Sequence, residues 1–185
     1  MDRLISLHNS VFARLERQDW ILPTVARLIF AGVLLMYFWA SGLTKLGDGV
    51  LGFIVPSTGA YAQIFPKALE AVSYDTSQLS LFHWAVVWAG TMAEFLLPAA
   101  LVLGFATRLA ALGMIGFVVV QSLTDVYGHG ADAGTIGTWF DRASDAHILD
   151  QRAFWVFLLL VLVIKGAGPL SLDRLLARRQ QMAPA

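Results

Sequence analysis

The stretch WAVVWAGTMAEFLLPAALVLG, residues 84–104, decides how this chain folds. It is long enough to cross the ~30 Å of hydrocarbon in a bilayer as a helix, which takes about 20 apolar residues. Glu94 lies in its middle, with no other Asp, Glu, Lys or Arg between residues 79 and 106. An ionised carboxylate there costs several kcal/mol, with estimates from about 3 upward, so we expect Glu94 to face other helices and a cationic partner.

The composition of the whole chain is that of a membrane protein. Of its 185 residues, 57% are hydrophobic and 14% are charged, whereas soluble domains have about 45–50% apolar residues. The formal net charge is zero, which gives nucleic-acid binding no electrostatic support. The chain has no cysteine, so any redox chemistry must use a bound cofactor or a partner protein.

Four apolar runs predict an all-α fold, a polytopic four-helix membrane bundle in a single domain, residues 1–185. The predicted spans are about 21–43, 79–103, 108–127 and 148–168. Residues 1–20 are predicted to form an amphipathic helix at the membrane interface, because apolar residues recur in them at helical spacing. The segments 44–78 and 128–147 are then two outer loops.

The basic residues predict the orientation. Four spans put both termini on one side of the membrane, and most of the 13 Lys and Arg residues lie in the termini and in the loop between the second and third spans. By the positive-inside rule, both termini are cytoplasmic in a bacterial inner membrane.

An internal repeat relates the two halves of the bundle. The first and third spans align with an offset of 81 positions, and the matched identities include Arg27 with Arg108 and Ser41 with Ser122. The alignment predicts two parallel helix hairpins related by an axis along the membrane normal, although ordinary membrane-helix composition also produces such matches. When Gly104, after the second span, is aligned on Gly166, after the fourth, Glu94 falls on Val156, so Glu94 is not part of the repeated scaffold.

Arg27 is the predicted partner of Glu94. A rise of ~1.5 Å per residue puts Glu94 ~14 Å and Arg27 ~10 Å from the inner face, a difference that two long side chains can close. Thr91 and Ser41 are expected as lesser neighbours. Two interpretations stay open: the pair only pins the first span to the second, or Glu94 is a catalytic proton acceptor held by Arg27.

Most other polar side chains lie in the outer thirds of the spans. This distribution predicts a cavity that is open to the outer face and has its inner end near Glu94. The candidate cofactor-binding residues are Lys45, Trp84, Trp88, Gln121 and Asp125. The two tryptophans stand one helical turn apart and could line a pocket for a flat ring such as a quinone. Aromatic residues in this position are more commonly interface anchors.

Three histidines, His83, His129 and His147, fall at the outer surface near carboxylates. Histidine with carboxylate ligands would suit zinc or copper. Their spacing matches no compact metal motif, so the prediction is no metal site and solvated loop histidines.

Three stretches of the sequence resemble the DoxX family of small bacterial four-helix membrane proteins. They are ARLIFAGVLLMYFWASGLTKL (26–46), AEFLLPAALVLGFATRLAAL (93–112) and GPLSLDRLL (168–176). By position, the resemblance implies that Arg27, Lys45, Glu94 and Arg108 are the family's intramembrane polar residues. The family shares its name with the small subunit of an archaeal thiosulfate:quinone oxidoreductase, and other members resemble membrane partners of sulfur-redox or oxidative-stress systems.

The leading prediction is a membrane component of such a redox system, which binds a quinone or a similar lipophilic molecule in the outward-facing cavity. It would be an oxidoreductase subunit without activity of its own. One alternative is an accessory subunit that docks on a larger membrane or periplasmic protein or on a second copy of this chain. The other is a transporter or metal-handling protein that uses the outer histidines.

Overall fold

Four helices that are long and apolar enough to cross a bilayer form the body of the protein. In the computed structural model, which describes residues 1–182, the first to fourth spans are Ile21–Leu43, Leu81–Leu103, Thr107–Gly128 and His147–Lys165. The described residues form helices and loops, with one isolated β-bridge. The predicted all-α, polytopic four-helix fold is confirmed, and its spans imply contact with the lipid bilayer.

Each span packs most extensively against two others. The first and the third spans both contact the second and the fourth, which gives an antiparallel bundle. All four contribute to one apolar core, whose largest fully buried side chains are Phe30, Phe38, Leu101, Met114, Leu159 and Leu162. We call the end with the N-terminal helix and the turn at residues 104–106 the terminal end. The end with segments 44–80 and 129–146 is the loop end.

The turn between the second and third spans is built around Gly104 and Asp173. Gly104 has φ +69°, and a Cβ there would lie 2.5 Å from the Cβ of Ser171, so only glycine fits. The Asp173 carboxylate accepts hydrogen bonds from the backbone N–H groups of Ala106 (2.7 Å) and Thr107 (3.0 Å). It therefore caps the start of the third span.

Helices outside the bundle lie at both ends of it. At the terminal end, Asp2–Glu16 has no buried residue, and Leu172–Met182 follows the fourth span. The exposed apolar side chains of Asp2–Glu16 include Leu4, Leu7, Val11, Phe12 and Leu15. The predicted N-terminal helix is thus present, and its place at the membrane interface stays a prediction.

At the loop end, the first outer loop contains two short helices, Thr58–Ile64 and Pro66–Ala71. They bury Tyr61 and Leu69 in a small cluster with Val87 of the second span. This cluster fixes the loop over the outer part of the bundle.

The second outer loop contains one short helix, Ala133–Ile136, capped by Asp132. The backbone N–H and the hydroxyl of Thr135 donate to the Asp132 carboxylate, and they hold the pKa of that carboxyl below its usual value.

Two arginines at the terminal end repeat the same contact. Arg27 of the first span donates from Nη2 to the Val102 carbonyl of the second span, and Arg108 of the third span donates from Nη2 to the Ile164 carbonyl of the fourth. Arg27 and Arg108 are equivalent in the sequence repeat. Val102 and Ile164 become equivalent when the glycines that end the second and fourth spans are aligned. These contacts support the predicted pair of parallel hairpins.

Candidate functional site

Glu94 is paired with Lys45. The Lys45 Nζ atom lies 3.0 Å from each carboxylate oxygen of Glu94, and the two side chains are only 6% and 3% exposed. Ser41 Oγ donates to Glu94 Oε1 at 3.0 Å and accepts from Lys45 Nζ at 2.7 Å. The predicted Arg27–Glu94 pair is therefore wrong, whereas Ser41 is a neighbour of Glu94 as predicted.

The direction in which helical side chains point explains why Arg27 does not pair with Glu94. Side chains on a helix tilt toward the N-terminus of that helix, and the first span begins at the terminal end. The Arg27 guanidinium therefore points away from Glu94. It reaches the ends of the second and fourth spans, where helix termini leave carbonyls unpaired and their dipoles favour a cation. Its acceptors are the carbonyls of Leu101, Val102, Ala167 and Leu170.

The same rule brings Lys45 and Glu94 together. Lys45 follows the end of the first span, and its side chain reaches back one turn to Ser41. The second span begins at the loop end, so Glu94 tilts toward Lys45. A membrane depth estimated for each residue only from the rise along the helix axis ignores the direction in which its side chain tilts. Thr91, the other predicted neighbour, donates its hydroxyl to the Val87 carbonyl of its own helix (2.7 Å).

A cavity of about 460 Å³ lies beside the Lys45–Glu94 pair, between the second and third spans. This volume lies within the ~300–1,000 Å³ that is typical of small-molecule sites. Most of the lining is apolar, and its polar side chains are Ser41, Lys45, Gln63, Glu94, Gln121, Thr124, Asp125 and His129. Three of the five predicted cofactor-binding residues, Lys45, Gln121 and Asp125, therefore line one cavity with Glu94.

The two tryptophans contact the first outer loop instead of the cavity. Trp84 and Trp88 stack on each other with ring centroids 6.1 Å apart. Their indole N–H groups donate to the carbonyls of Ile54 (3.1 Å) and Phe53 (2.9 Å). Neither tryptophan lines the cavity beside Glu94, and both indoles join the second span to the first outer loop.

Asp125 forms a second ion pair, with Arg152 of the fourth span. Arg152 Nη2 lies 2.6 Å from Asp125 Oδ2, and Arg152 Nη1 donates to Ser122 Oγ at 2.9 Å. The Arg152 side chain is 4% exposed and that of Asp125 is 31% exposed. Asp125 lies in the π-helical turn Thr124–Gly128, and Arg152 directly follows the π-helical turn His147–Gln151. Such turns are rare and are frequent at functional sites.

The two hairpins differ in which of their helices carries the cation of the ion pair and which carries the anion. Ser41 and Ser122 are equivalent in the repeat, and each accepts a hydrogen bond from the cation of its own pair. In the first hairpin the cation follows the first span and the anion is on the second. In the second hairpin the anion is on the third span and the cation is on the fourth. The sequence analysis did not identify Arg152 as a site residue. Ser122, the repeat equivalent of Ser41, could have pointed to it, because each serine accepts a hydrogen bond from the cation of an ion pair.

The three outer histidines lie apart and have separate partners. His83 Nδ1 is 2.8 Å from Ser80 Oγ, and His147 Nδ1 is 3.2 Å from Gln151 Oε1. His129 Nε2 is 2.9 Å from the Gln63 carbonyl at the loop end of the cavity. Residues 1–182 contain no group of three or more His, Cys, Asp or Glu side chains that could hold a metal ion.

The four spans, with a buried lysine–glutamate pair beside a cavity, define a small multi-pass membrane protein. The chain belongs to the DoxX family, because the family model described as DoxX matches residues 22–124, more than half of its length. The matched range includes Lys45 and Glu94 but ends before Asp125 and Arg152. No curated protein and no solved structure matches the chain.

Proposed function

We propose that this protein is a membrane component of a redox system and binds a quinone, or a similar lipid-soluble molecule, in the cavity beside Glu94. One observation carries the proposal. The buried Lys45–Glu94 pair is part of the wall of a largely apolar cavity between membrane-spanning helices. Ionisable residues within membrane spans are costly, and they mark ligand or proton sites by default.

The lining suits a quinone because it combines apolar walls with a few convergent polar groups. A bound quinone supplies two-electron, two-proton redox chemistry. The Lys45 ammonium can donate a hydrogen bond to a ring oxygen in exchange for its longest contact, the 3.3 Å bond to the Ser41 carbonyl. The Glu94 carboxylate, held by Lys45 and Ser41, can accept a proton or pass one on at its Oε atoms.

Arg27 has a positioning role in this proposal. Its guanidinium is occupied by four backbone carbonyls at the terminal end. It fixes the first span against the ends of the second and fourth, and so sets the bundle geometry that holds Glu94 beside Lys45.

We also propose that electrons come from a partner protein, since the chain has no cysteine thiol to supply them. Among the span glycines, Gly42 lies against Phe95 and Gly113 against Leu97, whereas Gly32 and Gly116 have no atom within 4 Å of a built Cβ. The orientation proposed from the basic residues puts the terminal end in the cytoplasm of a bacterial inner membrane and the loop end outside.

The test is quinone binding to Glu94→Gln in liposomes, measured by quenching of tryptophan fluorescence. The Glu94 carboxylate holds the Lys45 ammonium that donates to the ring oxygen, and an amide removes the charge from that contact. A hydrogen bond to a charged group is worth about 1.5–3 kcal/mol, so we expect quinone binding to weaken by about tenfold or more. Glu70→Gln is the matched control, because Glu70 is an exposed carboxylate on the first outer loop. Equal affinity in Glu94→Gln and wild type would refute the role of Glu94.

A further inference from the structure

Small residues of the second and third spans line the cavity. Ala89 of the second span and Gly113 and Gly116 of the third are lining residues, and all three are exposed. A Cβ built at Gly116 would meet no atom within 4 Å. The cavity therefore reaches the bundle surface through a slot between the second and third spans, edged by small residues.

The slot faces the hydrocarbon from the middle of the membrane toward the loop end. Gly116 is nine residues into the 22-residue third span, or ~14 Å along it. Val120 continues the slot one turn further toward the loop end, where it lines the cavity and is exposed. A molecule in the leaflet at the loop end can reach this slot without leaving the bilayer.

The two outer loops meet across the loop end of the cavity. His129 Nε2 is hydrogen-bonded to the Gln63 carbonyl at 2.9 Å. A Cβ at Gly128 would lie 3.1 Å from the Pro66 ring, so the chains there are in close contact. These contacts lie across the loop end, where Gln63 and His129 are exposed, whereas the slot opens toward the hydrocarbon.

We propose that the slot is a lateral portal for a membrane amphiphile. This inference rests on the proposed function and specifies the ligand class: a compact uncharged head with a long apolar tail. The head enters the cavity and reaches Lys45 and Glu94, and the tail leaves between Ala89 and Gly116 into the leaflet at the loop end. A charged head would lose its hydration at the apolar edges of the slot.

Gly116 allows a direct test, because a Cβ there meets no atom within 4 Å, so the first atom of a larger side chain fits beside the cavity. Gly116→Leu and Ala89→Leu narrow the slot from opposite sides. Gly32→Leu is the matched control, since Gly32 of the first span is equally open but lines no part of the cavity. The probes are long-tailed ubiquinone in liposomes and its tailless ring, 2,3-dimethoxy-5-methyl-1,4-benzoquinone, with tryptophan quenching as the readout.

We expect both slot variants to bind the long-tailed quinone about tenfold more weakly than wild type, and the tailless ring within about threefold of it. Gly32→Leu should match wild type with both probes. If one slot variant fails to fold, as judged by gel filtration, the other decides.

Wild-type affinity for the long-tailed quinone in a folded slot variant would overturn the portal. An equal loss with both probes would also overturn it, because the leucine would then have filled the cavity itself. In either case a loss in Glu94→Gln would leave the proposed function standing. Failure of wild type to bind either probe would refute the proposed function, and the portal with it.

Discussion

Removal of Lys45 isolates the contribution of the buried ion pair. Lys45→Met keeps most of the side-chain volume and leaves the Glu94 carboxylate with Ser41 as its remaining hydrogen-bond donor. At the observed 3.0 Å separation, Coulomb's law with an effective dielectric constant of about 20 gives an attraction of about 5–6 kcal/mol. Breaking one partner of a buried pair typically costs ~3–5 kcal/mol, because the other charge stays desolvated. We therefore expect Lys45→Met to destabilise the fold by that amount.

The assay is a double-mutant cycle of Lys45→Met, Glu94→Gln and the double variant, followed by reversible denaturant unfolding in detergent micelles. Each single variant leaves one buried charge unpaired, whereas the double variant leaves neither. The double variant should therefore be more stable than either single variant, which corresponds to a coupling energy of at least ~2 kcal/mol. Additive effects of the two substitutions would refute the reasoning.

The chain offers a matched control in Lys165 and Asp19. Their Nζ–Oδ1 distance is also 3.0 Å, but the two side chains are 41% and 80% exposed. Exposed pairs contribute about 0–1 kcal/mol, so Lys165→Met should have little effect. If Lys45→Met were no more destabilising than Lys165→Met, burial would not be the cause of the effect.

Two further substitutions test other parts of the bundle in the same unfolding assay. Arg152→Met should destabilise by ~2–4 kcal/mol, less than Lys45→Met, because Asp125 is partly exposed and regains water; an effect within error of zero would contradict this. Gly104→Ala should cost ~1–3 kcal/mol, since φ is +69° and the added Cβ overlaps the segment after the fourth span. Gly32→Ala, where the space is open, should change stability by less than ~1 kcal/mol or increase it, and equal effects of the two alanines would contradict the steric argument.

The spans could be predicted from the sequence because bilayer thickness fixes the length of an apolar helix. The first span begins and ends at the predicted residues, 21 and 43. The fourth was predicted to run to residue 168 but ends at Lys165, since Gly166 takes φ +77° and breaks the helix. The third extends to Gly128 through a π-helical turn. No periodic pattern in the sequence predicts such a turn.

The candidate site was predicted in part. A lone carboxylate in an apolar run identified Glu94, and the polar outer ends of the spans identified Lys45, Gln121 and Asp125 as residues near a cavity. The pairing could not be obtained from depth along the helix axis, because a long side chain moves its charge several ångströms toward the N-terminus of its own helix. That displacement separates Arg27 from Glu94 and joins Lys45 to it.

The two ion pairs differ in a way that bears on function. Asp125 keeps 31% of its side chain exposed at the loop end, so part of its charge is hydrated, and its pair with Arg152 joins the third and fourth spans. Glu94 and Lys45 have almost no exposure, and well-packed apolar residues often stabilise a core as well as a buried ion pair does. Packing alone therefore gives no reason for charges at this depth. The cavity beside them gives one, because a ligand head that enters it meets the ammonium and the carboxylate already in place.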